Sequence, residues 1–197
     1  KNMTYLIGLG NPGSEYENTR HNVGRDFVDY VADKNDFPDF KFDPKLKAWK
    51  STGVLDGKKI TLLKPDTFMN NSGTTLKGLA LSAKQIESVV VAYDDMDLGL
   101  GNLKISFNRG SGGHNGLSSI IKAAKTEKFA RFRFGVSPTN AKGVAKKPAG
   151  GDKVLKFILS APRPDDRKIL TKTFKTAMEA LATFANDGLQ KAMTEFN

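Results

Sequence analysis

Short apolar runs alternate along this chain with longer stretches of helical period. Runs of strand length occur at Tyr5–Leu9, Ile60–Leu63, Val89–Ala92, Leu103–Phe107 and Phe132–Val136, with a weaker one over Ala48–Leu55. Between them apolar residues recur at three- and four-residue intervals: Val23, Phe27, Tyr30 and Val31; Leu76, Leu79, Ala80 and Ala83; Leu117, Ile120, Ile121 and Ala124. That spacing lines one face of a helix. The clearest helix is predicted from Pro164-Asp165-Asp166, where a proline and two acids suit a first turn. Its stripe is Ile169, Leu170, Phe174, Ala177, Met178, Leu181 and Phe184, and a short helix is expected after it from Asp187. The run SVVVAYDD is apolar without alternation, as a central strand covered on both faces should be. Strands alternating with helices predict an α/β domain with a mainly parallel sheet and antiparallel additions.

Ser137 to Lys153, SPTNAKGVAKKPAGGDK, breaks this pattern: it is rich in Gly, Pro, Ala and Lys and has no period. Helices and strands of the same domain flank it. Long loops inside a compact domain are usually functional, so the segment is read as a mobile basic lid over about 137–153.

At 197 residues the chain fits one domain, 1–197, with room for a sizeable core. No apolar run approaches the ~20 residues of a membrane span, and no signal-peptide pattern precedes the first strand. The absence of cysteine removes disulfides, thiolate nucleophiles and Cys-ligated zinc, and favours a cytoplasmic setting. Charge changes the picture more. The net charge is +10, and all of the excess lies between Lys104 and Lys156, where 12 Lys or Arg face only Glu127 and Asp152. A solvated lysine-rich surface would spread its charge, whereas a localised excess is the footprint expected for nucleic acid.

Candidate chemistry begins at GLGNPG, Gly8 to Gly13, which fits the G-x-G-x-x-G of a dinucleotide turn. Such a turn runs directly into a helix whose N-terminus holds the pyrophosphate. Here Pro12 intervenes, the helical stripe begins only near Val23, and no second strand ends in an acid at the required distance. The glycines therefore serve another purpose.

Ligand sites in open α/β sheets form at the carboxyl ends of strands. Following the strands to those ends gives Asn11, then Asn70 beyond KPDTF, then Asp94 with Asp95 and Asp97. Both histidines of the chain lie in similar company, His21 in NTRHNVG and His114 in GSGGHNG beside Asn115. A carboxylate leaving an apolar strand suits the task of holding an imidazole in one tautomer. Neutral amides orient a substrate or water without competing for protons. Each residue also has a plainer reading: turn chemistry for Asn11, helix capping for Asn70, surface exposure for the histidines. A nucleophile elbow is absent, and Asp94, Asp95 and Asp97 leave a Mg²⁺-dependent nuclease as a weaker alternative.

GLGNPGSEYENTRHNVG, KPDTFMNNSG, VAYDDMDLGLG and GSGGHNGLSSII, in this order and spacing, resemble the bacterial-type peptidyl-tRNA hydrolase family, and the likeness spans nearly the whole chain. The resemblance implies a single α/β domain with a twisted mixed, mainly parallel central sheet surrounded by helices. It implies hydrolysis of the ester between a peptide's C-terminus and the terminal ribose of tRNA. It further implies a monomeric, cytoplasmic enzyme that needs no metal or cofactor and no membrane. On this likeness the catalytic base falls on His21 and its orienting carboxylate on Asp94. The substrate-positioning amides fall on Asn11, Asn70 and Asn115, a tyrosine near the ester on Tyr16, and His114 at the cleft entrance. Tyr93 replaces a histidine common before the aspartate. Of the basic pair that grips the tRNA 5′-phosphate, Arg133 matches one member, while Ser106 stands where the other is a lysine. Lys104 or Arg109 is expected to substitute, with Lys142 and Lys146 of the lid adding tRNA contacts. A non-catalytic RNA-binding relative on the same scaffold is the competing class.

Overall fold

A computed structural model describes residues 3–197. The apolar runs become strands β1 (Thr4–Gly8), β3 (Ala48–Leu55), β4 (Lys58–Pro65), β5 (Val89–Gly99), β6 (Leu103–Phe107) and β7 (Ala130–Ser137). A further strand, β2 (Lys41–Asp43), was not legible in the pattern because three largely polar residues carry no periodicity. It forms by pairing Phe42 with Trp49 of β3. The sheet has the order β2-β3-β4-β1-β5-β7-β6. Its centre, β4-β1-β5-β7, is parallel, and β2, β3 and β6 are added antiparallel.

Alternation along the central strands divides the core in two. Leu6, Leu62, Val90, Ala92, Phe132 and Phe134 face helices α1 (Val23–Lys34), α6 (Pro164–Asp187) and α7 (Leu189–Phe196). Ile7, Leu63, Val89 and Val91 face α2 (Gly73–Leu79), α3 (Ala83–Ile86) and α4 (Asn115–Ala124). Both faces are therefore covered, which is why SVVVA reads as uninterrupted apolar sequence. No described helix is long and apolar enough to cross a membrane.

The glycines of GLGNPG and NVG now have a physical role. A Cβ on Gly24 would lie 2.1 Å from the Ala92 carbonyl oxygen, and one on Gly8 would lie 2.3 Å from that of Gly24. Glycine lets the first turn of α1 rest directly on β1 and β5. The chain needs ten residues after Gly13 to reach this helix, passing through 3₁₀ turns at Ser14–Tyr16 and Arg20–Asn22. His21 rides on the second of these.

Two expected boundaries shift. β5 continues past Asp94 to Gly99, because a register irregularity after Asp95 lets Gly99 still pair with Ser137. The segment expected to be a loop over 137–153 is shorter at both ends. Ser137 closes β7, and helix α5 begins at Gly151 and runs to Ile158. The intervening residues fold back through a Thr139–Ala145 bridge and a turn in which Asn140 Oδ1 accepts from the backbone of Lys142 and Val144.

Candidate active site

Asp94 lies where the apolar run of β5 gives out, and its carboxylate is almost wholly buried. Two imidazoles satisfy it. His21 Nδ1 lies 2.9 and 3.0 Å from its two oxygens, and His114 Nε2 lies 2.9 Å from Oδ1. A carboxylate only accepts, so both ring nitrogens facing it carry protons. Leu117 N–H donates to His114 Nδ1 at 3.2 Å, fixing the neutral His114 ring as the Nε2–H tautomer while capping α4. Gly112 and Gly113, at φ 61° and 84°, turn the chain so that this cap can form. His21 has its Nδ1–H committed to Asp94, which leaves the Nε2 lone pair as its free basic site.

Electrostatics follow from this sharing. Burial opposes charge on Asp94, but His21 and His114 overcome it and hold the carboxyl well below the usual carboxylate range. Burial likewise opposes protonation of His21, yet the Asp94 charge and hydrogen bond prevail and raise the imidazole above its ordinary value. Tyr93 packs edge-on against His114, centroids 4.9 Å apart, and burial pushes its phenol up to about 12. It is a neutral shelf for the histidine ring.

The acids that follow are each taken by a different cation. Arg133 Nε donates to Asp95 at 2.8 Å and its NH1 to Ser106 Oγ at 3.1 Å, while Lys147 pairs with Asp97. The three aspartates thus do not converge on one point, contrary to a metal-nuclease arrangement. Among the described residues, His21, Asp94 and His114 have metal-ligand spacing, their ligand atoms all within 4.8 Å of one another. Their donor set does not suit an ion. Asp94 Oδ1 already accepts from both rings, and the α4 cap keeps a proton on His114 Nε2.

A cleft of about 450 Å³ opens over this triad, lined by His21, Asp94, His114, Asn115, Arg109 and Arg133. Lys147 and the α5 residues Val154, Leu155 and Ile158 wall its other side. The expected residues Asn11, Asn70 and Tyr16 form an adjoining group. Asn11 Oδ1 accepts from Met69 N–H at 2.7 Å, which leaves its NH₂ as the remaining side-chain donor. Asn22 clips the same residue by both backbone groups, at 2.9 Å each, joining this group to His21. Asn70 is exposed beside Phe68, whose ring meets Tyr16 edge-on at 6.3 Å.

Other expectations are corrected. His114, expected at the cleft entrance, is bound to Asp94 deep in the site. Lys104 donates to the Asn197 carbonyl and turns away from the cleft. Lys142 and Lys146 are exposed on the 138–150 loop but do not line the cleft, whereas Lys147 does. Arg131, counted in the basic excess, is wholly buried over the Phe129 ring and is closed to a polyanion. Asn22 and Phe68 were missed as site residues. Only Asn22 had a signal, its position next to His21.

A family model described as peptidyl-tRNA hydrolase matches residues 5–197. The chain is 39% identical over 196 residues to a peptidyl-tRNA hydrolase of Carboxydothermus hydrogenoformans, covering 99% of this chain and 98% of that one. It is 36% identical over 201 residues to a peptidyl-tRNA hydrolase of Halalkalibacterium halodurans, covering 99% and 100%. The crystal structure of peptidyl-tRNA hydrolase from Acinetobacter baumannii matches it with a TM-score of 0.87 and 29% identity, over 100% of this chain and 95% of that one.

Proposed function

The chain belongs to the peptidyl-tRNA hydrolase family, and from that premise we propose how its residues cleave the ester joining a peptide to tRNA. The reaction is ester hydrolysis in translation, releasing free tRNA and peptide. Its base is His21. Neutral Nε2 takes a proton from water as the water oxygen attacks the carbonyl carbon, and the carbonyl π pair moves onto oxygen. The tetrahedral intermediate then collapses, the bond to the ribose oxygen breaks, and the imidazolium returns its proton to that oxygen. The new carboxyl group loses its own proton to solvent. Asp94 stabilises the imidazolium and holds the ring with Nε2 free, and a base so positioned contributes roughly 10²–10⁴-fold.

The Asn11 NH₂, whose partner oxygen is taken by the Met69 bond, donates to the substrate near the base. Asn70 and Asn115 offer further amides, and Tyr16 with Phe68 forms an aromatic rim for the substrate end. An oxyanion donor is worth about 10²–10³ in rate. A substrate with a free α-ammonium would have to desolvate that charge to enter, which favours an acylated amine. Arg109, Arg133 and Lys147 at the cleft, with Lys142 and Lys146 beyond it, attract tRNA phosphates.

One observation carries this reading: in an open cleft a buried carboxylate accepts from His21 Nδ1 across 2.9 Å. The enzyme is proposed to act without a metal, because the His21 and His114 nitrogens that face Asp94 both carry protons and offer no lone pair there. The test is release of the blocked amino acid from N-acetyl-aminoacyl-tRNA. His21→Ala should lose at least about 10²-fold in kcat while tRNA affinity persists. Full activity in that variant refutes the base assignment, and loss of wild-type activity in EDTA refutes metal independence.

A further inference from the structure

Helix α5 is anchored unusually for a wall of the cleft. Its apolar residues Val154, Leu155 and Ile158 face the cleft, and none of its residues is fully buried. Leu155 is 54% exposed. Of α5, Phe157 alone packs against the core, and it is only half-buried, so core packing fixes this wall at a single side chain. Its C-terminal exit is held further by Arg20, the residue before His21.

Arg20 NH1 lies 2.6 Å from Ser160 Oγ, 3.0 Å from Ala161 O, 3.1 Å from Ser160 O and 3.5 Å from Phe157 O. Its backbone N–H also donates to Ser160 O at 3.1 Å. The guanidinium lies 4.4 Å over the Phe157 ring, and NH2 approaches Asp166 of α6 at 4.0 Å. A cation among the last carbonyls of a helix is favoured by the helix dipole and by the unpaired acceptors found there. Asp166 is itself held by Arg163, at 3.1 Å for both bonds, so the far side of the anchor is fixed too.

We infer that Arg20 is a positioning residue that sets the distance between the α5 wall and the His21 base. Arg20 and His21 share one 3₁₀ turn, so the group that fixes the wall is covalently next to the group that takes the proton. Lysine cannot reproduce a planar fork that serves several acceptors and stacks on a ring. This inference rests on the proposed function, since it assumes that substrate lies between the wall and His21.

The experiment compares wild type with Arg20→Lys, Ser160→Ala and the double variant. Hydrolysis of N-acetyl-aminoacyl-tRNA gives KM and kcat, thermal melting reports folding, and amide exchange follows residues 151–160. Expected are a KM raised about 5- to 10-fold in Arg20→Lys with a smaller fall in kcat, a smaller KM rise in Ser160→Ala, and a double variant no worse than Arg20→Lys. Exchange in α5 should accelerate while exchange in the β5 core does not. A merely structural arginine would lower the melting temperature and the active fraction without moving KM. Unchanged KM, unchanged α5 exchange or strictly additive effects would each overturn the inference. Wild-type protein that releases nothing from the substrate would instead overturn the proposed function, and the exchange measurement would still decide whether Arg20 anchors α5.

Discussion

His21 and His114 share one carboxylate, so the proton on each ring is placed by its neighbours. The proposed catalysis by neutral His21 requires that the ring be deprotonated, and Asp94 raises its pKa. The acid limb of kcat/KM should therefore lie above the ordinary imidazole value, activity rising with pH through the neutral range. Asp94→Asn removes the charge that opposes burial, so the limb should move to lower pH while the rate falls by about 10²–10⁴-fold. A limb that stays in place would separate Asp94 from the titrating base. Stability has its own sign. The depressed Asp94 contributes stability above the ordinary carboxylate range and loses it as pH falls through that range and below. The raised His21 contributes stability at low pH and loses it as pH rises through its folded value. Melting curves of wild type and Asp94→Asn should thus diverge as pH falls from about 8 to 5, where His21 protonates beside the carboxylate, and converge only in stronger acid, below the ordinary carboxylate range. At this scale, residue identities were legible because few types do proton chemistry, and TRHN and YDD present them plainly. The second imidazole on Asp94 was not legible. His114 lies 20 residues away, and only the turn before α4 brings it in.

Elements place these residues through close backbone contact. Helix α1 can start immediately after His21 because Gly24 lets it rest on β5. Gly24→Ala would push a methyl group against the Ala92 carbonyl, and rigid backbone cannot yield as a side chain does. Loss of about 2–4 kcal/mol of stability is expected in denaturant titration, with lower kcat as His21 is displaced from Asp94. Wild-type stability in that variant would show that the α1 packing is looser than the 2.1 Å approach requires. Element existence was largely legible, since β6 and the long α6 have strong periods, while β3 was the weaker of the expected runs. The basic segment was misread at its end. Gly151, Asp152 and Lys153 already belong to α5, but a glycine and two charged residues in a first turn carry no apolar period, so the sequence there looks like loop.

Across the whole molecule, charge is proposed to set how tRNA arrives. The excess lies in one segment, and apart from buried Arg131 and paired Arg133 most of it is exposed. Affinity for tRNA should fall steeply and log-linearly with added salt, and a flat response would remove the segment from binding. Lys147 is paired with Asp97 in the free protein, so a phosphate must compete for it. Asp97→Asn should lower KM by about 2- to 5-fold at low salt with little change in kcat, whereas Lys142→Ala with Lys146→Ala should raise it. No effect of Asp97→Asn on KM would mean that Lys147 does not reach the substrate. The sequence by itself determined the strand and helix periods, the two-faced core, the family likeness and the chemical types at strand ends, because these are carried by local spacing and composition. Which of those groups touch was decided only by the tertiary structure. The pairing of both histidines on Asp94, the Met69 bond to the Asn11 amide and the Arg20 grip on α5 depend on contacts between residues distant in sequence. Spacing along the chain does not encode such contacts, and packing fixes them.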